Sequence, residues 1–429
     1  MIDLSLFSGQ RFYVVGLGTT GISAVRALGA AGAQVACWDD YGDHGDHCAH
    51  QAQTGQDATA LTAPDLVDYS QLTALILSPG IAPSHRAVQA ARAAGVDVIS
   101  DVELLFRAGL KARALGITGT NGKSTVAALC HHVLQTLGIP CALGGNFGPA
   151  TLALTDPGPE GFVVLELSSY QLELSPGYDL AAACLVNVEV DHLERHGTLA
   201  NYAAAKARIF KSAQHKFVAG LDRWSQQIAT QSGATLLPAT HWPAERPQAN
   251  LIGQHQRQNM AAVSALLTSQ GLQEAAVLAA MDSFPGIPHR QQVIAKAGPW
   301  LFVNDSKATN VASTASALRA YKDIHWLAGG RAKAGGFDGL RPHLGAVTRA
   351  YIYGENAADL SAFCQQAGVP FDRFETLDQA VACALEGAGG TLLLSPAAAS
   401  WDQYSSFEAR GAHFHALLTP YITEHEAAA

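Results

Sequence analysis

Residues Gly119-Thr120-Asn121-Gly122-Lys123-Ser124-Thr125 decide how this chain is read. They follow the apolar run Ala114-Leu115-Gly116-Ile117-Thr118 and precede Val126-Ala127-Ala128-Leu129, an order that predicts strand, loop and helix. The backbone N–H groups of such a loop, with the helix N-terminus behind it, wrap an anion. In that setting Lys123 reaches terminal phosphates and the Ser124 hydroxyl serves Mg²⁺. The usual pattern, G-x-x-x-x-G-K-[ST], wants Gly where this chain has Ile117. The loop predicts a nucleoside triphosphate, and its departure marks the kind of enzyme to expect.

Working outward, 429 residues exceed one ordinary core and predict two or three domains. The chain is 48% hydrophobic and 15% charged, with a net charge of −9 that speaks against nucleic acid or a membrane surface as partner. An anionic substrate must then be met by local positive groups. The start, Met1-Ile2-Asp3-Leu4, has no basic region followed by an apolar stretch, and no apolar run approaches a membrane span. The 7 cysteines are scattered without C-x-x-C spacing, which predicts reduced core residues and no zinc site. The expectation is a soluble cytoplasmic protein.

Apolar β-rich runs alternate with Ala-rich helical stretches from end to end, predicting α/β layers on largely parallel sheets. The first block runs 1–101 and carries strands at Phe12–Val15, Gln34–Trp38 and Ala74–Leu77. A central block, 102–288, includes the phosphate loop and strands at Phe162–Leu165 and Cys184–Val186. It ends at the breaker cluster Pro285-Gly286-Ile287-Pro288. The last block, 289–429, has strands at Trp300–Val303, His325–Ala328, Ala350–Tyr353 and Leu392–Leu394.

In the first block, Gly16-Leu17-Gly18-Thr19-Thr20-Gly21 follows a strand and opens a helix, and Asp39 and Asp40 end the next strand. Read alone, this is the fingerprint of a dinucleotide binder. It reports mainly a tight turn near a diphosphate, which UDP carries as well as NAD does. A second polar turn, Ser78-Pro79-Gly80, is expected to face the same crevice.

In the central block, Glu166, His192 and Asn146 all fall near strand ends, where ligands of a parallel sheet gather. Lys206 lies on the helical stripe of Leu199, Tyr202, Ile209 and Phe210. Periodicity alone favours a lysine that snorkels to solvent. The alternative is a desolvated lysine of lowered pKa that takes up CO₂ as a carbamate, an oxygen ligand suited to Mg²⁺. In the last block, Asn304-Asp305-Ser306-Lys307-Ala308-Thr309-Asn310, Gly329-Gly330-Arg331-Ala332-Lys333 and Ser395–Tyr404 end strands, and His289-Arg290 precedes them. Together they predict a site for a small anionic molecule.

The loop Gly119–Thr125, Glu166-Leu167-Ser168-Ser169, Asp191-His192 with Lys206, and His289-Arg290 together resemble the Mur ligase family. The likeness covers all three blocks. It implies an α/β chain of three domains: a Rossmann-like UDP-substrate domain, a P-loop ATPase-like domain and a Rossmann-like amino-acid domain. The motifs Asn304–Asn310 and Ser395–Gln403 narrow the implied reaction to ATP-dependent joining of D-glutamate to UDP-N-acetylmuramoyl-L-alanine, a step of peptidoglycan precursor synthesis by a monomer. The resemblance implies that Thr19, Thr20, Ser78, Pro79 and Gly80 bind the uridine diphosphate part, with Asp39 near the uracil. Asn146, Ser168 and His192 then meet the rest of that substrate. Gly119, Thr120, Asn121, Gly122, Lys123, Ser124 and Thr125 hold ATP, Asn259 and Asp305 its adenosine, and Arg290 its phosphates. Two Mg²⁺ ions are implied, one on Ser124 and Glu166, the other on Glu166, His192 and carbamylated Lys206. Lys307, Thr309, Lys333, Ser400 and Phe407 position the glutamate. Three positions depart from the family pattern: Tyr41 for an arginine, Gln256 for an asparagine and Trp401 for a leucine. Two other readings stay open, an NAD-dependent oxidoreductase and a catalytically silent relative.

Overall fold

The computed structural model describes residues 2–40, 60–246, 251–332 and 336–427, so Tyr41, Cys48 and Lys333 lie outside the described residues. The chain divides into two compact units, Met1–Pro243 with Gln258–Met281, and Ala244–Arg257 with Asp282–Ala429.

The first unit carries two parallel sheets. Strands β1 (Arg11–Val15), β2 (Gln34–Trp38), β3 (Ala60–Leu61), β4 (Ala74–Leu77) and β5 (Asp97–Ile99) are ordered β3-β2-β1-β4-β5. Along β1, Phe12 and Val14 enter one apolar cluster while Tyr13 and Val15 enter another. Both faces of the sheet are covered, which is why its strands read as unbroken apolar runs. Strands β6 (Arg113–Thr118), β7 (Cys141–Gly145), β8 (Phe162–Glu166), β9 (Ala182–Leu185), β10 (His215–Val218) and β11 (Thr235–Leu236) form the second sheet, ordered β11-β10-β9-β6-β8-β7. The strand that leads into the phosphate loop is thus flanked by β8 and β9.

The second unit holds β12 (Gln292–Ala297), β13 (Trp300–Asn304), β14 (Ile324–Gly329), β15 (Val347–Tyr353), β16 (Phe371–Arg373) and β17 (Gly390–Leu394), ordered β12-β13-β17-β14-β15-β16. Only the β12–β13 pair is antiparallel among these. The strands that end at Asn304, Leu394 and Gly329 are therefore neighbours, which gathers the three polar segments at one edge of the sheet. Ordinary caps launch the helices behind them: the Asn310 side chain accepts from Ser313 N at 2.8 Å and starts the helix Val311–Ala320.

Candidate active site

At the first sheet, Gly16 turns with φ 91° and its N–H reaches Trp38 O at 2.8 Å. The Ser78 hydroxyl donates to Gly16 O at 2.6 Å, so the turns after β1 and β4 meet in one crevice. Asp39 accepts from Leu17 N at 2.5 Å and so holds the Gly-rich turn closed. A dinucleotide binder would spend such an acid on a ribose hydroxyl; here one of its oxygens serves the turn. Thr19 and Thr20 open the helix Thr19–Ala30, and Pro79 and Gly80 lie at the surface beside the buried Ser78.

The missing glycine of the phosphate loop has a physical reason. Ile117 is fully buried and still paired in β6, with Glu166 on one side and Cys184 on the other. The turn begins two residues later, at Gly119 with φ 155°, and ends at Gly122 with φ 81°. A Cβ at Gly122 would stand 2.5 Å from Asn259 Oδ1, which places that asparagine against the loop. The helix Lys123–Thr136 then leaves its first-turn N–H groups without intrahelical acceptors.

Glu166, the last residue of β8, is buried, and its two oxygens have different partners. Ser124 Oγ donates to Oε2 at 2.5 Å and Asn146 Nδ2 to Oε1 at 3.0 Å. The strand order brings together groups 42 and 20 positions apart. Lys123 Nζ donates to Thr120 O at 2.8 Å. Ser168 caps the short helix Ser169–Glu173 in a capping box with Gln171, so its hydroxyl is engaged locally.

Lys206 does not snorkel. It is 1% exposed, its Nζ donates to Gly119 O at 2.6 Å, and it lies 4.3 Å from the centre of the Tyr202 ring. The helical stripe points inward at this position, and the phosphate loop covers it. Burial drives the proton affinity of the amine well below the ordinary value and nearby Lys123 adds to this, against the pull of Asp191 and Glu166. His192 adopts a left-handed φ of 53°, rare for a residue with a side chain. Its N–H is held by Asp191 Oδ1 at 3.0 Å and its Nδ1 by the Tyr170 hydroxyl at 2.9 Å.

In the second unit, Asp305 is buried at the end of β13. Ser395 Oγ donates to its Oδ2 at 2.9 Å and Gln291 N to its Oδ1 at 3.1 Å. Burial pushes its pKa up to about 7, outweighing those bonds and the nearby Arg290 and Arg410. Lys307 Nζ sits 4.2 Å from the Phe407 ring centre, Thr309 N reaches Lys307 O at 2.7 Å, and Ser400 is buried. His289, Gln291 and Ala397, beside these segments, have φ of 63°, 46° and 57°. Trp401 is 67% exposed.

Three residues here escaped the reading from sequence. Asn187 Oδ1 accepts from Thr120 N at 3.1 Å and Asn121 N at 2.9 Å. Tyr170, from the strand end that supplies Glu166, orients His192. Arg410, fully buried, donates to Ser306 Oγ and O, Gly329 O and Ala398 O. It ties the ends of β13, β14 and β17 together. Its place four residues before Phe414 and eight before Leu418, on the buried stripe of the last helix, was the available signal.

Among the described residues no three His, Cys, Asp or Glu are grouped to hold a metal ion, and no helix is long and apolar enough to cross a membrane. The expected metal set draws only Glu166 and His192 from those types. Its donors are chiefly oxygens, and the buried Ser124 and Glu166 oxygens already meet at hydrogen-bond distance, which fits a hard cation such as Mg²⁺.

A strand–loop–helix phosphate cradle, with a carboxylate against the loop serine on a parallel sheet, defines a P-loop nucleoside-triphosphate enzyme. The model of the Mur ligase middle domain matches residues 117–236, that of the Mur ligase MurD-like N-terminal domain 10–100, and that of the Mur ligase glutamate ligase domain 289–398. The chain is 39% identical over 446 residues to the UDP-N-acetylmuramoylalanine–D-glutamate ligase of Novosphingobium aromaticivorans, covering 100% of this chain and 98% of the relative. It is 38% identical to the enzyme of the same name from Paramagnetospirillum magneticum, covering 98% and 99%. The chain belongs to the Mur ligase family. The crystal structure of UDP-N-acetylmuramate–alanine ligase from Thermotoga maritima shares the fold, with a TM-score of 0.60 at 18% identity over 96% of this chain and 99% of that one.

Proposed function

We propose that this chain is an ATP-dependent ligase that joins D-glutamate to UDP-N-acetylmuramoyl-L-alanine in peptidoglycan precursor synthesis, as a cytoplasmic monomer of three domains with boundaries near 101 and 288. The observation that carries the reading is the buried Glu166, clasped by the Ser124 hydroxyl of the phosphate loop and by Asn146. It is supported by the relatives of that name, which match along nearly the whole chain.

The alanyl carboxylate attacks the γ-phosphorus of ATP, the β–γ bridging bond breaks, and ADP leaves an acyl phosphate. The neutral amine of glutamate then attacks the acyl carbon, a tetrahedral intermediate forms, and phosphate departs as the amide is made. Lys123 exchanges its bond to Thr120 O for the terminal phosphates, and it and Arg290 offset the charge of the transferring group. Asn259 and Asp305 hold the adenosine. Thr19, Thr20, Asp39, Ser78, Pro79, Gly80, Asn146, Ser168 and His192 bind the UDP-linked substrate. Lys307, Thr309, Lys333, Ser400 and Phe407 orient the glutamate. Ser124, Glu166, His192 and Lys206 would hold two Mg²⁺ ions, whose chemistry is to neutralise phosphate oxygens. Lys206 suits this because its buried amine is readily neutral: its lone pair can attack CO₂ and release a proton, leaving a carbamate oxygen donor. The test is ATP-dependent phosphate release with UDP-N-acetylmuramoyl-L-alanine, comparing D- and L-glutamate. Release with D-glutamate alone is expected, and no release with any amino acid would overturn the assignment.

A further inference from the structure

The ladder between β6 and β9 does not stop where the strands do. Val186 N reaches Thr118 O at 2.8 Å and Thr120 N reaches Asn187 O at 2.9 Å. From there the Asn187 side chain continues the pairing as if it were another peptide group. Its Oδ1 takes the N–H groups of Thr120 and Asn121, and its Nδ2 donates to Asn121 O at 3.2 Å. Beyond it, Glu189 N and O engage Thr120 Oγ1 and Glu189 Oε2 accepts from Asn121 Nδ2. Segment 186–189 is thus zipped onto loop 118–121, and the amides of Thr120 and Asn121 are both taken up by Asn187.

We infer that Asn187 is a positioning residue for the nucleotide: its carboxamide clamps the phosphate loop so that the grip on the β- and γ-phosphates is made by the turn at Gly122 and the first turn of helix Lys123–Thr136. Only a carboxamide of this length offers one acceptor to two amides and one donor to a carbonyl. An aspartate would keep the acceptor, lose the donor and set a negative charge beside the triphosphate. The inference rests on the reading of Gly119–Thr125 as the triphosphate site and needs neither the acid nor the amino-acid substrate to be right.

The test compares the full chain with Asn187→Ala and Asn187→Asp, using ADP and AMP as probes of binding and amide hydrogen exchange as a probe of the loop. In the parent, ADP binds more tightly than AMP and the Thr120 and Asn121 amides are protected. In Asn187→Ala, ADP affinity falls on the order of tenfold or more, AMP affinity holds, and the Asn121 amide exchanges faster, while Thr120 N keeps its bond to the backbone carbonyl of residue 187. In Asn187→Asp the amides stay protected while ADP affinity still falls, which separates the clamp from a general loss of folding. Unchanged exchange at Asn121 in the alanine variant, or an unchanged preference for ADP over AMP, overturns the inference. Failure of the parent to bind ADP would instead overturn the reading of the loop.

Discussion

Replacing Asp305 by Asn should remove a pH dependence that the fold imposes on itself. The carboxyl is buried at the end of β13, and burial pushes its pKa from the ordinary 3.8 up to about 7. Below 3.8 the group is protonated whether the chain is folded or not. Between 3.8 and about 7 the folded protein keeps a proton that the unfolded chain has released. The unfolded state then binds fewer protons, so stability falls as pH rises through that window and is flat above it. Each factor of ten in proton affinity is worth about 1.4 kcal/mol. The climb from 3.8 to about 7 therefore sets an upper bound of ~4 kcal/mol lost between acid and neutral pH.

Asn is close to isosteric and meets the same partners. Its Oδ1 accepts from Gln291 N, and its amide can donate to the Ser395 hydroxyl, which already lies against Thr314 Oγ1 at 3.2 Å. It carries no charge, so the window should vanish. Urea midpoints of parent and variant, followed by tryptophan fluorescence at several pH values from 4 to 8, measure the difference. Trp300 and Trp326, buried in the same sheet, report on this unit. The variant should gain on the parent as pH rises, by up to ~4 kcal/mol at pH 8. A difference that stays flat across the range would refute the account, because other titrating groups cancel in the comparison.

Three further outcomes follow from single sites. Gly122→Ala forces a Cβ to 2.5 Å from Asn259 Oδ1 at a φ of 81°, so it should lose about 1–3 kcal/mol in urea unfolding and bind ATP poorly in a fluorescent-nucleotide titration. Lys206→Met replaces a desolvated amine by a side chain of similar length; its urea midpoint should hold or rise, while phosphate release falls by on the order of a hundredfold or more. Arg410→Met removes the buried guanidinium that joins Ser306, Gly329 and Ala398, and should lower stability by about 3 kcal/mol or more, with the amides of those loops exchanging faster.

What could be read from the sequence, and what could not, divides along a physical line. Strand ends were legible because each joins an apolar run to a polar turn, and a parallel sheet collects such ends; Glu166, Asp305 and Ser395 were found in this way. For Lys206, periodicity alone favours a snorkelling side chain, because a helical stripe reports which way a side chain faces and not what lies above it; only the family resemblance points inward. The carbonyl that meets its amine belongs to Gly119, 87 positions away, and only the sheet order brings it there. Asn187 sits just past the end of β9, and nothing local marks it, since its partners lie 66 and 67 positions away in the loop beside it. Arg410 has partners 104, 81 and 12 positions away, on loops that become neighbours only through the order β13-β17-β14. Asp39 shows the converse. Its place after β2 matched a ligand-binding pattern, yet an oxygen is spent on Leu17 N to close the turn that the pattern describes. A motif therefore names the groups that can do the chemistry, while strand order decides which of them hold one another in place. In this chain the flanking of β6 by β8 and β9 makes that division concrete: β8 brings Glu166 to Ser124, and the chain leaving β9 brings Asn187 to the loop amides, so the loop after β6 is held from opposite sides of a single strand.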